Sequence, residues 1–408
     1  MQTYRSRTLE GRIETISREF PALLLTGPRQ SGKTTLLRHL AGEKRRYVSL
    51  DDLALRDLAR EDPRLFLERY RAPVLIDEIQ YAPELLSYVK IAIDENRTPG
   101  AYWLTGSQQF QMMEGVTETL AGRVAIVRLL GFSQRELEQK DAAALPFLPT
   151  RERLESRRSA YATGADGIFE RIWNGSFPAL LADGLEDREL FLSSYLQTYL
   201  QRDVRDLTQV GSLESFTRFV RACAARSGSL LNLSLLARDV DISVPTAKSW
   251  LSVLIASFQV HLLQPYSSNV TKRLTKSPKL YFLDTGLLSH LCRWSSPETL
   301  ASGAMAGAVF ETFVVSEVLK SWWHNGREAP LYFYRDKDLR EIDLVFEIDG
   351  RLHPVEIKGS ATVRREWVKN FNALERLGQP IGEGAVVCLA PEEVPLDEHR
   401  TAVPVGLL

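Results

Sequence analysis

Residues 23–37 read LLLTGPRQSGKTTLL. Three leucines run into a Gly-Pro break, and a Gly-Lys pair opens onto Thr-Thr-Leu-Leu, so an apolar strand passes through a loop into a helix. From Gly27 to Thr34 the spacing is a glycine, four residues, Gly-Lys and a hydroxyl residue. Between a strand and a helix, that spacing builds a phosphate cradle. The glycines let backbone N–H groups curl inward, and the helix N-terminus adds its positive dipole end. The expected nucleotide-binding loop is therefore Gly27, Pro28, Arg29, Gln30, Ser31, Gly32, Lys33, Thr34 and Thr35. Lys33 is suited to reach the β and γ phosphates, and Thr34 to hold Mg²⁺.

Working outward, ALLLTG, RYVSLD, PVLIDE, AYWLTGS and VAIVRLL are five short apolar strands between residues 22 and 130, separated by helical stretches. Such alternation predicts a parallel sheet covered by helices. PVLIDE supplies the acid that a phosphate loop needs at the end of a buried strand. Asp77 is expected to orient Mg²⁺ through water, and Glu78 to polarise the attacking water. The Asp-Glu pair favours ATP hydrolysis over a GTPase-like site. The fourth strand ends in LTGSQQ, where Ser107 or Gln108 is placed either to sense the γ-phosphate or to cap the next helix. In ETLAGRVAIVRL, Arg123 ends a helix before the fifth strand. Two readings stand: a finger into the site of a neighbouring subunit, or a helix-terminal partner of the dipole.

The bulk composition narrows the class. The chain has 408 residues, 44% hydrophobic and 25% charged, with 51 Lys+Arg against 52 Asp+Glu and a net charge of -1. It is long enough for several cores, and no global basic field draws it to nucleic acid, so such binding needs a local patch. Its three cysteines, Cys223, Cys292 and Cys388, lack metal-site spacing and suit a reducing compartment. No stretch approaches the roughly 20 apolar residues of a membrane span, so the expectation is a cytoplasmic protein without a membrane partner.

Beyond residue 131 the rhythm changes. Residues 138–166 are charged and rich in Ala and Pro, and read as a surface excursion or linker with some helix. Residues 168–227 are helical in pattern. NLSLLARDVDISVPTAKSWLSVLIASFQVHLL, residues 232–263, has helix-turn-helix spacing, and two strands around a polar loop follow it as a wing. That loop carries Lys272, Arg273, Lys276 and Lys279, a phosphate-contact strip, while the second helix offers Lys248. The module suits contact with DNA or with another protein.

Residues 340–359, REIDLVFEIDGRLHPVEIKG, read as a hairpin turning at Asp349-Gly350. In that register Asp343 faces Glu356 at about 5 Å between Cβ atoms, and Glu341 faces Lys358. The opposite face is expected to carry Ile342, Leu344, Phe346, Ile348, Val355 and Ile357. Upstream, Glu311 lies amid apolar residues of AGAVFETFVVSEVLK. Glu311, Asp343 and Glu356 are candidate metal ligands, and Lys358 could orient the nucleophile of a phosphodiester cleavage in which Asp343, Glu356 and Lys358 are catalytic. A solvated face with a cross-strand ion pair is the plainer reading.

GPRQSGKTT, LIDEIQ, LTGS, LAGR, FP at 177–178, YLQRDV at 199–204, KSPKLYFLDTGLL and EIDLV…VEIK occur in the order of a large prokaryotic family. The chain resembles the AAA_14 ATPases with a C-terminal DUF4143 region. NGSFP departs from the family's expected second glycine there. The Glu…Asp…ExK pattern likewise resembles the PD-(D/E)xK core. The resemblance implies an α/β fold: a P-loop NTPase of AAA/ASCE type over 1–137, a linker and helical lid-like region over 138–228, a winged helix-turn-helix over 229–300 and a restriction-endonuclease-like domain over 301–408. The expected activity is Mg²⁺-dependent ATP hydrolysis by Lys33, Glu78, Ser107 and a trans-acting Arg123 in a homo-oligomer. It would be coupled to DNA remodelling, with or without cleavage; the alternative is a nucleotide-dependent switch whose nuclease-like domain is inactive. The sequence assigns no role to Arg202 and Asp203.

Overall fold

In the computed structural model β1 (Ala22–Thr26) is buried along its whole length, and its side chains divide between two cores. Ala22 and Leu24 join one cluster, with Val48, Ile76 and Leu104. Leu23 and Leu25 join the other, with Leu75, Trp103 and Val127. A strand whose alternate residues are all apolar can be covered on both faces, and helices supply the cover. Ile13 and Ile16 of the helix Glu10–Glu19 and Leu36 and Leu37 of the helix Lys33–Ala41 cover one face. Phe66 of Pro63–Arg69 and Val89 and Ile93 of Leu85–Glu95 cover the other.

The structure describes residues 4–107, 120–139, 144–158, 167–182, 184–199, 213–268 and 277–408. The chain divides into two units: Met1–Phe132 with the short returns Ala256–Phe258 and Trp323–Arg327, and Ser133–Ile255 with Gln259–Trp322 and Glu328–Leu408. Among the described residues no helix is long and apolar enough to cross a membrane.

In the first unit, β2 (Arg46–Ser49), β3 (Val74–Asp77), β4 (Tyr102–Gly106) and β5 (Val124–Arg128) join β1 in the order β2-β3-β4-β1-β5. Every pairing is parallel. All five strands expected from the sequence are present. The sheet puts β4 between β1 and β3, so the phosphate loop leaving β1 and the acid ending β3 meet from two strands away. Arg123 lies in a turn, its N–H bonded to the Leu120 carbonyl at 2.9 Å. The helix expected before it falls on residues outside the described ones, as do Gln108, Arg202 and Asp203.

In the second unit a small antiparallel sheet, β6 (Ser229–Leu230), β7 (Val260–Leu263) and β8 (Lys279–Phe282), has the order β6-β8-β7. The helices Leu233–Val240 and Val244–Ala256 stand between β6 and β7 in the chain, joined by a short turn. A mixed sheet follows: β9 (Leu331–Arg335), β10 (Glu341–Ile348), β11 (Arg351–Lys358), β12 (Gly384–Cys388), β13 (Val394–Pro395) and β14 (Arg400–Pro404). Its order is β13-β14-β12-β11-β10-β9.

Two expectations are corrected here. In the described part of 138–166 the expected helix is present as Arg151–Arg158, but the segment is anchored rather than a free surface excursion: Phe147, Leu154 and Arg157 are buried, and Arg157 bonds the carbonyls of Leu145 at 2.6 Å and Leu407 at 2.8 Å. Its exposed Arg151, Glu152, Glu155 and Arg158 give the stretch its charged look, while a few side chains anchor it. The hairpin turns where expected, with Ile348 opposite Arg351 and Leu344 opposite Val355. Its apolar face is not continuous, because an irregularity between Ile342 and Val345 shifts the pairing with β9. Ile342 therefore packs in one cluster with Val345, an odd–even change that regular alternation forbids.

Candidate active site

The phosphate loop is shaped by backbone constraints. Gly27 has φ 151°, and a Cβ there would lie 2.0 Å from the Leu129 carbonyl oxygen, so only glycine fits. Gly32, at φ 90°, caps the helix Lys33–Ala41 and turns its first N–H groups toward the loop. Lys33 is buried, its ammonium donating to the carbonyls of Gly27 at 3.0 Å and Pro28 at 2.7 Å. A bound phosphate would compete with those carbonyls for the amine. The Ser31 hydroxyl is 1% exposed and has no partner within the described structure. A loop offering a buried hydroxyl, a lysine donating to loop carbonyls and a helix N-terminus fits a polyphosphate. Pro28 is buried, Arg29 half-buried, and Gln30 and, within the helix, Thr35 are exposed.

Asp77 ends β3 almost wholly buried. It accepts from the Thr34 hydroxyl at 3.0 Å, from the Tyr47 phenol at 3.0 Å and from the Thr105 hydroxyl. Three hydroxyls on one carboxylate fix its orientation, and Thr34 and Asp77 are the pair that would hold Mg²⁺. Burial, and then the Asp77 carboxylate, keep the Tyr47 phenol above its ordinary pKa. The Arg38 guanidinium lies 4.7 Å from the Tyr47 ring centre.

Glu78 has φ 58°, a left-handed conformation that costs a non-glycine residue about 1–2 kcal/mol. The next three residues, Ile79–Tyr81, form a tight turn rather than continuing the strand. This turn brings Gln80 back so that its amide donates to the Glu78 carboxylate. The Ser107 hydroxyl lies 3.4 Å from the same Glu78 oxygen and 3.3 Å from the Gln80 amide nitrogen. Ser107 thus stands beside Glu78, at the end of β4.

Arg7, Tyr47 and Gln80 belong to this site and were not singled out from the sequence. Arg7 is 3% exposed and donates to the carbonyls of Ser31 at 2.9 Å, Leu130 at 2.8 Å and Gly131 at 3.2 Å. It ties the phosphate loop to the exit of β5, and nothing in TYRSRTLEG marks it. Gln80, two residues after the acid in LIDEIQ, carried the one available signal.

Arg123 forms a bidentate pair with Asp94, Nε to Oδ1 at 2.6 Å and Nη2 to Oδ2 at 3.1 Å. The Arg123 hydrogen bond holds the Asp94 carboxyl below its ordinary pKa.

The C-terminal acids do gather, with lysines among them. Lys279 Nζ lies 3.0 Å from Glu311 Oε1 and 2.6 Å from Glu341 Oε1, and the Tyr281 hydroxyl donates to Glu311 at 2.6 Å. Lys358 Nζ lies 2.6 Å from Glu356 Oε1. Asp343 Oδ2 accepts the Ile357 N–H at 2.8 Å, so the β10–β11 ladder closes through a side chain. Burial and then the Glu356 and Glu311 carboxylates push the Asp343 carboxyl well above its ordinary range. Burial also raises Glu356, against the opposing pull of Lys358. For Lys279 burial works against the charge, and Glu311, Asp343 and Glu341 outweigh it, holding its pKa above the ordinary value.

This arrangement corrects two expectations. Lys279 is no phosphate contact: it is 4% exposed, because β8 begins at this residue and turns it inward. The trio Glu311, Asp343 and Glu356 is not an open metal centre as it stands, because Lys279 and Tyr281 engage Glu311, the Ile357 N–H takes one Asp343 oxygen and Lys358 takes one Glu356 oxygen. Lys248 is exposed on its helix, and Lys272, Arg273 and Lys276 lie outside the described residues.

With this geometry in hand, known proteins can be compared. Residues 19–138 match the AAA domain AAA_14, 165–298 a domain of unknown function (DUF8612), and 306–408 a domain of unknown function (DUF4143). The uncharacterized protein Rv2008c of Mycobacterium tuberculosis is 30% identical over 403 residues, spanning 98% of this chain and 83% of its own. The uncharacterized protein Mb2031c of Mycobacterium bovis matches equally, at 30% over 403 residues with the same 98% and 83%. The chain belongs to this family of AAA-type P-loop ATPases. Two solved structures are similar at low identity. The Walker-type ATPase PABY2304 of Pyrococcus abyssi is 16% identical, with a TM-score of 0.42, covering 69% of this chain and 94% of its own. The RuvB Holliday junction branch migration motor of Thermotoga maritima is 15% identical, with a TM-score of 0.31, covering 62% and 88%. Both are too distant to carry a function across. In this ATPase the residues that the family pattern marks, GPRQSGKTT and LIDEIQ, are the ones brought together around Asp77 and Glu78.

Proposed function

We propose that this ATPase hydrolyses ATP with Mg²⁺ and couples the cycle to DNA. The observation that carries the hydrolytic reading is the Thr34–Asp77 bond beside a Glu78 held by Gln80 and Ser107. Mg²⁺, when bound, would neutralise charge on the β and γ phosphate oxygens, and Thr34 and Asp77 are the groups that would hold it. Lys33 exchanges its two carbonyls for phosphate oxygens, a change of partner rather than of place. Glu78 orients and polarises the attacking water. Gln80 and Ser107 fix the direction of its carboxylate, and Ser107 is close enough to sense what occupies the γ position. Arg123 acts on the site of a second copy after leaving Asp94, because a planar guanidinium matches phosphoryl oxygens as well as a carboxylate.

Coupling to DNA is supported by the helix pair Leu233–Val240 and Val244–Ala256, on which Lys248 is exposed, and by the basic residues Lys272, Arg273 and Lys276 of the sequence that follows. Contacts of this kind read the phosphate backbone, so affinity should fall steeply with salt. The experiment is ATP turnover with and without single-stranded, duplex and branched DNA, for wild type and Glu78→Gln. Stimulation in wild type, with turnover roughly 10²–10⁴-fold lower in Glu78→Gln and nucleotide binding retained, is the expected result. Turnover indifferent to every DNA would remove the DNA half of the proposal and leave a nucleotide-dependent switch. Arg123 is tested separately: wild-type turnover per subunit should rise with protein concentration, and Arg123→Ala should abolish that rise.

A further inference from the structure

We propose that the Lys279 ammonium is the resident cation of the C-terminal acid cluster, standing where a divalent ion would stand and closing the cluster to metal-dependent strand cleavage. Lys279 comes from β8, Glu311 from the helix Ala306–Trp323 and Glu341 from β10, so one amine joins three elements. It bonds Glu311 at 3.0 Å and Glu341 at 2.6 Å while only 4% exposed. A lysine that deep is tolerated only when its charge is matched, and its desolvation is large enough to exclude a casual surface pairing. The neighbours complete the closure. Tyr281, two residues along the same strand, donates to Glu311 at 2.6 Å. Arg335 stands 3.7 Å from the second Glu341 oxygen. Asp343 spends one oxygen on the Ile357 amide, and Glu356 one on Lys358. The remaining Glu356 oxygen is buried and unpartnered, its residue 6% exposed. It is a ligand position left over inside an otherwise neutralised cluster.

Removing the amine should therefore create the metal site that the acids alone would form. The test is Mn²⁺ titration of the nucleotide-free full chain, read by the electron paramagnetic resonance of free Mn²⁺ and by thermal unfolding. Wild type should show no saturable binding that depends on Asp343, and no Mn²⁺-dependent rise in melting temperature. Lys279→Ala should melt lower, bind Mn²⁺ at least ~10-fold more tightly than wild type, and recover its melting temperature when Mn²⁺ is added. Adding Asp343→Asn to it should remove the gain. The proposal is overturned if wild type binds Mn²⁺ through Asp343 as tightly as the variant, or if a folded Lys279→Ala gains nothing. Should Lys279→Ala not fold, Lys279→Gln serves the same comparison. Failure of both to fold, with no Asp343-dependent binding in wild type, also supports a structural cation.

Discussion

At the scale of single residues, Glu78 and Gly27 hold conformations that the chain would not choose locally. Glu78 keeps φ 58° because Thr105 bonds its N–H at 3.1 Å and Gln80 and Ser107 surround its carboxylate. The strain buys direction: the side chain leaves the strand at an angle a regular β residue could not reach. Gln80→Leu should therefore lower kcat by roughly 10-fold or more while leaving nucleotide affinity near wild type, since the base is misdirected rather than lost. Steady-state kinetics beside a fluorescent-nucleotide titration would separate the two; an equal loss in affinity would make Gln80 a binding residue. Gly27 is limited by space. Gly27→Ala drives a methyl into the Leu129 carbonyl at 2.0 Å, so the loop must shift. A destabilisation of about 1–3 kcal/mol together with lost nucleotide binding is expected, measured by urea unfolding and by the same titration.

At the scale of elements, Asp284 explains two sequence motifs at once. It caps the helix Thr285–Leu291, accepting the Leu287 N–H at 2.7 Å, and accepts the Ser176 N–H at 2.8 Å and hydroxyl at 2.7 Å. The NGSFP and FLDTG stretches are thus two sides of one contact. Gly175, at φ 80°, lies so near Gly286 that an added Cβ would come 2.8 Å from its Cα. The glycine kept in NGSFP is the one the contact requires. Asp284→Ala removes three bonds to a carboxylate and should cost about 2–4 kcal/mol, read as a lower urea midpoint. Asp284→Asn, which keeps acceptors, should recover part of it. The strand β8 carries the complementary lesson. Lys279 and Tyr281, two apart, share a face and both reach Glu311. In the sequence, Lys279 ends a run of basic residues, and only the start of β8 at this residue turns it inward.

At the scale of the whole molecule, the cysteines offer a probe of integrity. Cys223 and Cys388 are buried and Cys292 is half-buried. Burial pushes the Cys223 thiol up to about 12 and the Cys292 thiol to about 11, and raises Cys388 as well. The native chain should react slowly with a thiol reagent at pH 8, where the Cys292 thiolate fraction is about 10⁻³, and faster by tenfold per pH unit below its pKa. In denaturant all three should react at once, and a thiol that reacts immediately in the native chain would contradict this packing.

The ATPase sheet was legible because its information is local. Apolar strands of the right length, a glycine-spaced loop and an acid pair each declare themselves within a dozen residues, and helices on both faces require only that the strands be apolar throughout. Lys33, Thr34, Asp77 and Glu78 could be named for that reason. Arg7 could not, since its role is to reach carbonyls more than a hundred residues away. The hairpin turn at Asp349-Gly350 was legible, and the bulge between Ile342 and Val345 was not, because a bulge is set by the neighbouring strand rather than by the hairpin's own pattern. Sequence by itself determined the nucleotide-binding unit of this protein and the presence of acids in its C-terminal part. Tertiary structure decided what those acids face: a lysine that reads as solvent-facing is buried among them, because charge in a low-dielectric interior must be matched by whatever element the fold brings within reach.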